Sequence, residues 1–279
     1  MKILLVPSID PVAVEHARML AARLTIAGLD VEMFSFDPQN PAPHAVEVAD
    51  AALVVVMGGD GTFLYAARLI GFAPVPILGF NYGDLGFLSG NPARDELELI
   101  FDALSGDLPI ERRSTLDAVV TDSRGVAHEF TALNEIAYTR GVGGHVVRYT
   151  LGVNGTPIAT LKADGLVVAT ATGSTAYALS AGGPIVSPAY SGLVAVPLAP
   201  HSLSTRAVVC APSDVVEATL SGRALDDASV FVDGRALDVK GAQHILVRRG
   251  EREILYVRGG DDFFASVAHV FFGGGDQPC

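Results

Sequence analysis

Short apolar runs alternate with amphipathic segments over the first hundred residues. Runs with the length and β-branched content of buried strands lie at Ile3–Val6, Val31–Phe36, Leu53–Met57 and Pro76–Phe80. Asp10 and Pro11 supply an N-cap and a proline suited to the first helical position, and they predict a helix that runs until Gly28. A further short helix is predicted at Asp95–Leu104. Apolar strands separated by helices favour a parallel α/β sheet.

The pattern changes after residue 109 to many short β-like runs divided by glycine, proline and asparagine. They include Leu116–Val120, Val146–Val153, Leu166–Ala169, Val215–Leu220, Val230–Val232 and Ile245–Val247. Asn154-Gly155 is the signature of a tight hairpin, and Asp262–Val270 has a helical pattern. We therefore predict an α/β plus all-β fold. A Rossmann-like parallel α/β domain (1–105, rejoined by a C-terminal helix in 259–279) precedes a β-sandwich-like domain (106–258).

Composition excludes several classes of protein. Of 279 residues, 49% are hydrophobic and 18% charged, which is typical of a globular chain with a sizeable core. The net charge of −12 argues against a general nucleic-acid or anionic-membrane binder. Two cysteines, Cys210 and Cys279, imply no disulfide framework. With no apolar run of membrane-spanning length, we expect a cytoplasmic protein with no nucleic-acid or membrane partner.

The sequence Gly58-Gly59-Asp60-Gly61-Thr62 lies between the predicted strand Leu53–Met57 and a helical pattern that begins at Phe63. Backbone N–H groups converge at such a turn, and the helix dipole favours an anion such as phosphate. A carboxylate at such a site repels phosphate, so Asp60 needs a chemical role to be explained. It has one if it accepts a proton from an attacking hydroxyl or holds a metal between phosphates. The turn therefore indicates phosphoryl transfer. The alternative is a tight turn in which Asp60 only caps the helix.

A second candidate site is rich in small and hydroxyl-bearing residues. After Asp164, the hydroxyl residues are Thr170, Thr172, Ser174, Thr175, Tyr177 and Ser180. Small side chains let a ligand approach the backbone, while hydroxyls donate or accept hydrogen bonds. If Thr175–Ala181 forms a helical turn, Tyr177 and Ser180 share a face that would suit a base and its ribose. A Ser/Thr-rich loop with a capped helix is the alternative.

Two further positions carry polar groups near these motifs. Asn134-Glu135 lies between two strand-like runs, and a buried polar pair of this kind needs hydrogen-bond partners. A β-bulge or a structural hydrogen bond is the alternative to a ligand contact. Lys162 stands two residues before Asp164 and is interpreted either as a ligand contact or as a solvated charge.

Taken together, these motifs resemble those of the NAD kinase family, whose members phosphorylate the 2′-hydroxyl of the adenosine ribose of NAD to give NADP. The resemblance extends from the first strand to about residue 265, and several motifs in one order are far more specific than any one of them. It rests on Gly58–Thr62, Asn81 with Leu85–Leu88, Asn134-Glu135, Asp164–Tyr177, Gly182–Pro184 and His201–Ser204.

The resemblance implies a role for each matching position. Asp60 would be the base that deprotonates the ribose hydroxyl, Gly61 would pack against the dinucleotide, and Phe87 would lie near the adenine. Asn134-Glu135 would hold ribose hydroxyls, and Asp164 would contact the nicotinamide end or its ribose across a subunit boundary. The other implied nucleotide-binding positions are Gly59, Thr62, Asn81, His145, Lys162, Ser174, Thr175, Ala176, Tyr177, Ser180 and Arg235.

The resemblance also implies ATP or polyphosphate as donor and Mg²⁺ carried mainly by the nucleotide phosphates. It implies no tightly bound prosthetic group and a homodimer or homotetramer. Three positions depart from the family pattern: Ala171 replaces a usual proline, Asp84 adds negative charge to a loop, and Arg235 replaces a usual glutamine. A guanidinium at position 235 is able to recruit a phosphate or a different nucleoside, so a kinase of another nucleoside or hydroxyl substrate stays open as an alternative. A nucleotide-binding sensor without turnover is a separate alternative.

Overall fold

The computed structural model describes residues 1–36, 48, 50–82, 86–90, 95–222, 225, 228–260 and 262–273. Asp84, Leu85 and Cys279 lie outside the described residues. The chain divides into two compact units, Met1–Arg112 with Arg252–Cys279, and Arg113–Glu251.

The first unit alternates strands and helices. Its elements up to residue 105 are β1 (Lys2–Pro7), α1 (Pro11–Ile26), β2 (Asp30–Met33), β3 (Ala51–Met57), α2 (Asp60–Leu69), β4 (Pro76–Phe80) and α3 (Glu96–Ser105). The strands pair in parallel in the order β2-β1-β3-β4, so the predicted parallel sheet is confirmed. The strand predicted at Val31–Phe36 is too long, because β2 lies at the sheet edge with mostly exposed side chains and its ladder stops at Met33.

Local sequence signals set the helix starts in this unit. Asp10 caps α1 by accepting a hydrogen bond from the N–H of Val12 (2.7 Å), directly before Pro11. Asp95 caps α3 through the N–H of Leu97 (2.9 Å). Five successive residues of β3, Leu53–Met57, are buried, as expected for a parallel strand covered on both faces. This central strand therefore presents its carboxyl end, and the turn that follows it, at the edge of a rigid sheet.

The second unit is built from antiparallel strands and one short helix. Its elements are β5 (Ile110–Thr121), β6 (Ala127–Ala132), β7 (Glu135–Thr139), β8 (Val147–Val153), β9 (Thr156–Ala163), β10 (Gly165–Thr170), α4 (Tyr177–Ser180), β11 (Leu193–Leu198), β12 (Val208–Cys210), β13 (Val215–Ser221), β14 (Ser229–Val232), β15 (Arg235–Ala236) and the first part of β16 (His244–Val257). A single turn of 3₁₀ helix, Thr172–Thr175, precedes α4.

These strands form two sheets around one core. One sheet has the order β12-β11-β10-β7-β14-β15, and the other joins β16, β13, β8 and β9. Leu166 of the first sheet and Tyr149 and Val216 of the second belong to the same buried cluster, so the predicted β-sandwich-like arrangement is confirmed. The predicted hairpin is confirmed as well. Asn154 and Gly155, with φ of 52° and 74°, connect β8 to β9.

The chain returns to the first unit at its end. β16 pairs with β13 through residues 244–248 and, in parallel, with β4 through residues 255–257. The final helix, α5 (Phe263–Phe272), is capped by Asp262, which accepts from the N–H of Ala265 (2.9 Å). The predicted C-terminal helix is therefore confirmed. No helix within the described ranges combines the length and the apolar character needed to cross a membrane.

Candidate functional site

The turn after β3 is shaped by its glycines. Gly59 is the N-cap residue of α2 and makes no side-chain cap. A β-carbon at Gly58 would lie 2.5 Å from Oγ1 of Thr62, so the fold itself requires glycine there. At Gly59 and Gly61 a β-carbon would meet nothing within 4 Å. The protein's own packing does not explain these two glycines, and they leave space for a ligand to approach the N-terminus of α2.

Asp60 is the first residue of α2, but its side chain does not cap that helix. Its Oδ2 accepts a hydrogen bond from the N–H of Phe87 and its Oδ1 from that of Leu88, both at 3.0 Å. The hydroxyl of Ser89 lies 3.4 Å from Oδ1. The interpretation of Asp60 as a simple helix cap is therefore wrong. The carboxylate is fixed in position by the loop, and Oδ2, which accepts from Phe87 alone among the described residues, keeps a further lone pair that can accept a proton.

Phe87 belongs to an aromatic group in the first unit. Its ring stacks on that of Phe271, with centroids 5.8 Å apart, and lies 6.0 Å from that of Phe263, both in α5. Asn81, which follows β4, is buried, and its N–H donates to the carbonyl oxygen of Gly90 (2.9 Å). The first unit thus brings Phe87 next to Asp60, although the two are 27 positions apart in the sequence.

A cavity of about 700 Å³ lies in the second unit. Four of the predicted site residues line it: Glu135, Asp164, Tyr177 and Ser180. Sequence reasoning missed other lining residues, among them Ala137, Thr139, Arg140, Leu198, Ala199 and Phe231. Three of them, Ala137, Leu198 and Phe231, are apolar strand residues, whose periodicity predicts burial and gives no sign of a ligand. A cavity of this size is in the range of small-molecule sites.

Asn134 directly precedes β7, which begins at Glu135, and hydrogen bonds hold the two residues from two sides. Oδ1 of Asp233 accepts hydrogen bonds from the N–H groups of Asn134 (2.8 Å) and Glu135 (3.3 Å). Oδ2 of the same carboxylate accepts from the N–H of Leu133 (3.1 Å). On the other side, the hydroxyl of Thr170 donates to the carbonyl oxygen of Leu133 (2.6 Å). The backbone N–H of Thr170 donates to the carbonyl oxygen of Asn134 (2.9 Å). Asp233 is a residue that the sequence analysis did not select.

Two buried oxygens of this pair have no hydrogen-bond partner among the residues that the structure describes. They are Oδ1 of Asn134 and Oε2 of Glu135, in side chains only 7% and 5% exposed. Leaving such an acceptor unsatisfied costs about 1–3 kcal/mol. Burial, and then the charge of Asp233, raises the pKa of Glu135 to about 8, against smaller opposing contributions from backbone N–H groups. A purely structural bulge does not account for these free acceptors, whereas a hydroxyl-bearing ligand does.

The hydroxyl-rich segment divides into structural and cavity-lining residues. Ser174 is fully buried; its hydroxyl donates to the carbonyl of Ala171 (2.7 Å) and accepts from the N–H of Val186 (3.0 Å). The Thr175 hydroxyl likewise turns back to Thr172 within the 3₁₀ turn (3.2 Å). These groups hold the segment together. Tyr177 and Ser180, one helical turn apart on α4, face the cavity instead.

Asp164, in the turn between β9 and β10, forms an ion pair with Arg140. The distance from Nε of Arg140 to Oδ1 of Asp164 is 3.1 Å, and Nη1 of Arg140 donates to the carbonyl of Gly144 (3.0 Å). Among the described residues that line the cavity, Arg140 is the only cation. The nearby carboxylates of Glu135 and Asp164 contribute, after burial, to a raised pKa of Tyr177. The cavity therefore combines two carboxylates with one guanidinium.

Other predicted positions lie in the second unit but are not among the lining residues of the cavity. His145 is exposed between β7 and β8, and Lys162 is exposed on β9. Ala176 precedes α4, and Arg235 begins β15 opposite Val232. Across the described part of the chain, no three His, Cys, Asp or Glu side chains gather into a group suited to a metal ion.

Two family models match this chain. The model described as ATP-NAD kinase N-terminal domain matches residues 9–106, and that described as ATP-NAD kinase C-terminal domain matches residues 133–259. An NAD kinase of Bordetella avium (strain 197N) is 37% identical over 261 residues, covering 90% of this chain and 87% of that protein. An NAD kinase of Ralstonia nicotianae is 42% identical over 219 residues, covering 78% and 71%.

Solved structures agree with the fold. Yeast NADH kinase complexed with NADH matches with a TM-score of 0.86 at 23% identity, over 100% of this chain and 89% of that one. An NAD kinase from Archaeoglobus fulgidus in complex with ATP matches with a TM-score of 0.75 at 25% identity, over 98% of both chains. The resemblance seen in the motifs is thereby confirmed over both units. On these domain matches and on relatives of this identity and coverage, the chain belongs to the NAD kinase family, a family of phosphotransferase enzymes.

Proposed function

We propose that the protein transfers the γ-phosphoryl group of ATP to the 2′-hydroxyl of the adenosine ribose of NAD and so forms NADP. Family membership supports the reaction. The observation that carries the assignment to this chain's own residues is the pair of buried oxygens on Asn134 and Glu135 that find no hydrogen-bond partner among the described residues; Glu135 lines the cavity.

The hydroxyls of a ribose are the donors that these two acceptors lack. A buried acceptor that gains a donor recovers the cost of its desolvation, so Asn134 and Glu135 favour a ligand with adjacent hydroxyls. Tyr177 and Ser180 add a ring and a further hydroxyl on the same cavity wall. The other lining residues are mainly apolar, which suits a flat base. The combination supports the adenosine part of NAD as the group that binds here.

Asp60 is the proposed general base. Its carboxylate is held by two backbone N–H groups, which restrict the side chain to one position. A positioned base of this kind typically contributes about 10²–10⁴-fold to the rate. The rest of the acceleration comes from alignment of the reactants and from neutralisation of phosphate charge. The open N-terminus of α2 beside Gly59 and Gly61 provides N–H groups for that purpose.

We further propose that ATP enters as its Mg²⁺ complex, that the protein is a homo-oligomer, and that it works in the cytoplasm. The first two rest on family resemblance, and the third on the two cysteines, which imply no disulfide framework and suit a reducing compartment. Light scattering of the purified protein tests the oligomer. Omission of Mg²⁺ from the assay tests the metal, since turnover would then disappear.

The decisive experiment measures turnover of purified protein with NAD, ATP and Mg²⁺, with NADP detected by an NADP-specific dehydrogenase. Asp60→Asn is expected to lower turnover by about 10²–10⁴-fold, with little change in NAD affinity measured by calorimetry. Asp10→Asn is the matched control, because Asp10 also accepts a backbone N–H in the first unit but lies on an exposed surface. Near-normal turnover of Asp60→Asn would contradict the role of Asp60.

The same assay separates the alternatives. Polyphosphate replaces ATP in one series, and NADH or another nucleoside replaces NAD in a second. Formation of a phosphorylated product only from another nucleoside would reject NAD as acceptor. A protein that binds NAD and ATP without any turnover, and whose Asp60→Asn variant binds no worse, would be a nucleotide-binding sensor.

A further inference from the structure

We propose that Asp233 is a positioning residue, which holds Asn134 and Glu135 in place for the ribose and couples NAD binding to release of a proton from Glu135. This inference rests on the proposed function, because it places NAD in the cavity of the second unit. Asp233 itself is not among the residues that line that cavity.

The backbone brings Asp233 to this place. Asp233 and Gly234 form the two-residue turn between β14 and β15, with φ of 47° and 72°. The turn needs left-handed backbone at both positions, which aspartate tolerates better than most residues and glycine adopts freely. β14 also pairs with β7, with Val232 opposite Ile136, so the turn lies beside the start of β7. The carboxylate therefore faces the N–H groups of residues 133–135 as a consequence of strand register.

The buried carboxyl groups of Asp233 and Glu135 differ in how many hydrogen bonds stabilise their ionised forms. Asp233 accepts three backbone N–H groups, which stabilise its charged form. The Glu135 carboxyl group is stabilised less, by the backbone N–H groups of Gly234 and Tyr177, and its Oε2 accepts no hydrogen bond from the described residues. Two carboxylates this close do not both ionise readily, so the proton resides on Glu135. In agreement with this difference, burial, and then the charge of Asp233, raises the pKa of Glu135 to about 8.

The other charged and titratable groups that face Glu135 from the cavity walls are Asp164, Tyr177 and Arg140. Asp164 has the same sign as Asp233, and its ion pair with Arg140 offsets part of both charges. Tyr177 stays neutral at physiological pH, since its pKa is raised. Asp233 is therefore the group whose removal should most change the ionisation of Glu135.

A bound ribose should change Glu135 from the protonated form to the ionised form. Hydroxyl groups that donate to its oxygens stabilise the ionised form, so NAD binding near pH 7 should expel the proton. Affinity for NAD should then rise as the pH rises through the pKa of Glu135, because the proton no longer has to be removed. A residue that only supported the fold would produce neither effect.

The test compares wild type with Asp233→Asn. Asparagine also tolerates left-handed backbone, but it removes the negative charge and replaces one acceptor oxygen by a donor. Calorimetry of NAD binding in two buffers of different ionisation enthalpy counts the protons released at about pH 7. The KM for NAD is measured alongside, from about pH 6 to pH 9. Wild type should release protons, and its KM should fall as the pH rises.

In Asp233→Asn the midpoint of the KM profile should move down by about one pH unit, and proton release near neutral pH should decrease. The KM should change more than kcat. Asp214→Asn is the matched control, because Asp214 also accepts a backbone N–H, that of Ala211 (2.7 Å), on an exposed loop of the same unit. Its profile should match that of wild type. If circular dichroism shows that Asp233→Asn does not fold, Asp233→Gly provides a second neutral variant that adopts the same φ.

The outcomes separate this inference from the proposed function. A wild-type protein that forms no NADP would reject the proposed function. An active wild type whose proton release and pH midpoint are unchanged in Asp233→Asn would reject the role of Asp233 alone. Absence of any proton release by active wild type would also reject it.

Discussion

Gly86 and Asp60 lie so close together that no side chain fits between them. A β-carbon at position 86 would be 2.8 Å from Cγ of Asp60 and closer still to Oδ1. The next two residues, Phe87 and Leu88, donate their N–H groups to the same carboxylate. The glycine thus lets the loop close over the proposed base, and the position of the carboxylate depends on a residue that need not contact the substrate.

Substitution Gly86→Ala should therefore displace Asp60 without removing its carboxylate. A misplacement of about 1 Å at a reacting group can cost about 10²-fold in rate, so we expect kcat to fall by about 10–100-fold. Affinity for NAD should change much less, since the loss is in alignment. The measurement is steady-state NADP formation by the purified variant.

Gly260→Ala is the control for this substitution. Its β-carbon would meet only Gly90, at 3.8 Å, which is ordinary contact. Its kcat should equal that of wild type. If Gly86→Ala also keeps the wild-type kcat, the loop does not fix Asp60 in the catalytic state.

Local signals made much of the fold predictable. Asp10 and Pro11 define the start of α1, and Asn154-Gly155 define a hairpin, because each signal acts over a few neighbouring residues. Asp233-Gly234 carries the same type of signal and forms the same type of turn. The Asp-Gly dipeptide thus predicts this turn from local sequence alone.

The connections that build the site were not predictable in the same way. The carboxylate of Asp233 binds N–H groups about 100 positions earlier in the chain, and Arg140 pairs with Asp164 across a cavity wall. Such contacts depend on strand register and leave no periodicity in the sequence. The resemblance to known kinases supplied Glu135 and Tyr177, but it did not supply the groups that hold or neutralise them. Ser174 shows the converse, since its hydroxyl is used by the fold.

Ser174→Ala and Ser180→Ala should therefore have opposite effects. The first removes two hydrogen bonds in a fully buried place, and we expect the free energy of unfolding to fall by about 1–3 kcal/mol. Its KM for NAD should remain near that of wild type at low temperature. The second removes an exposed hydroxyl from the cavity, so KM should rise several-fold while stability stays within about 0.5 kcal/mol. Denaturant titrations and KM measurements are made on both variants, so that each serves as the control for the other. A raised KM in Ser174→Ala with unchanged stability would assign the ligand contact to Ser174.

Glu135→Gln should stabilise the protein in a pH-dependent way. The folded-state pKa of Glu135, about 8, lies above its ordinary value of 4.5, so the folded protein keeps a proton that the unfolded chain has already lost. Stability due to this group is thus present at low pH and is lost as the pH rises toward 8. Glutamine cannot ionise, so the Glu135→Gln variant does not lose this stability as the pH rises. We expect little gain near pH 5 and a gain on the order of 1–4 kcal/mol near pH 8.

Denaturant titration at both pH values measures this effect. Glu217→Gln, on β13 outside the cavity lining, is the control and should show no pH-dependent gain. An equal gain for Glu135→Gln at both pH values would contradict the proton-linked origin. The variant should also lose affinity for NAD, which would show that the protein gives up stability at this position in favour of binding.

Arg140→Met tests how an acidic cavity accepts an anionic dinucleotide. Arg140 is the one cation among the described lining residues, and its bonds to Asp164 and Gly144 leave further N–H donors of the guanidinium. A charge-assisted bond to the pyrophosphate is worth about 1.5–3 kcal/mol, so loss of the guanidinium should raise the KM for NAD at least about tenfold. Stability should change little, because a partly exposed ion pair contributes about 0–1 kcal/mol.

Inhibition by adenosine decides between two roles for Arg140. Adenosine has no phosphate, so its inhibition constant should be the same in Arg140→Met and in wild type if the guanidinium acts on the pyrophosphate. If Arg140 instead acts only through Asp164, Arg140→Met should raise the KM for NAD no further in a protein that already carries Asp164→Asn, since both changes break the same pair (3.1 Å). Arg148→Met, which removes an exposed arginine from β8, controls for the change in net charge and should leave both constants unaltered. A rise in the KM for NAD that is additive with the effect of Asp164→Asn, with no change in the inhibition constant of adenosine, would therefore identify Arg140 as the residue that neutralises the pyrophosphate in this cavity.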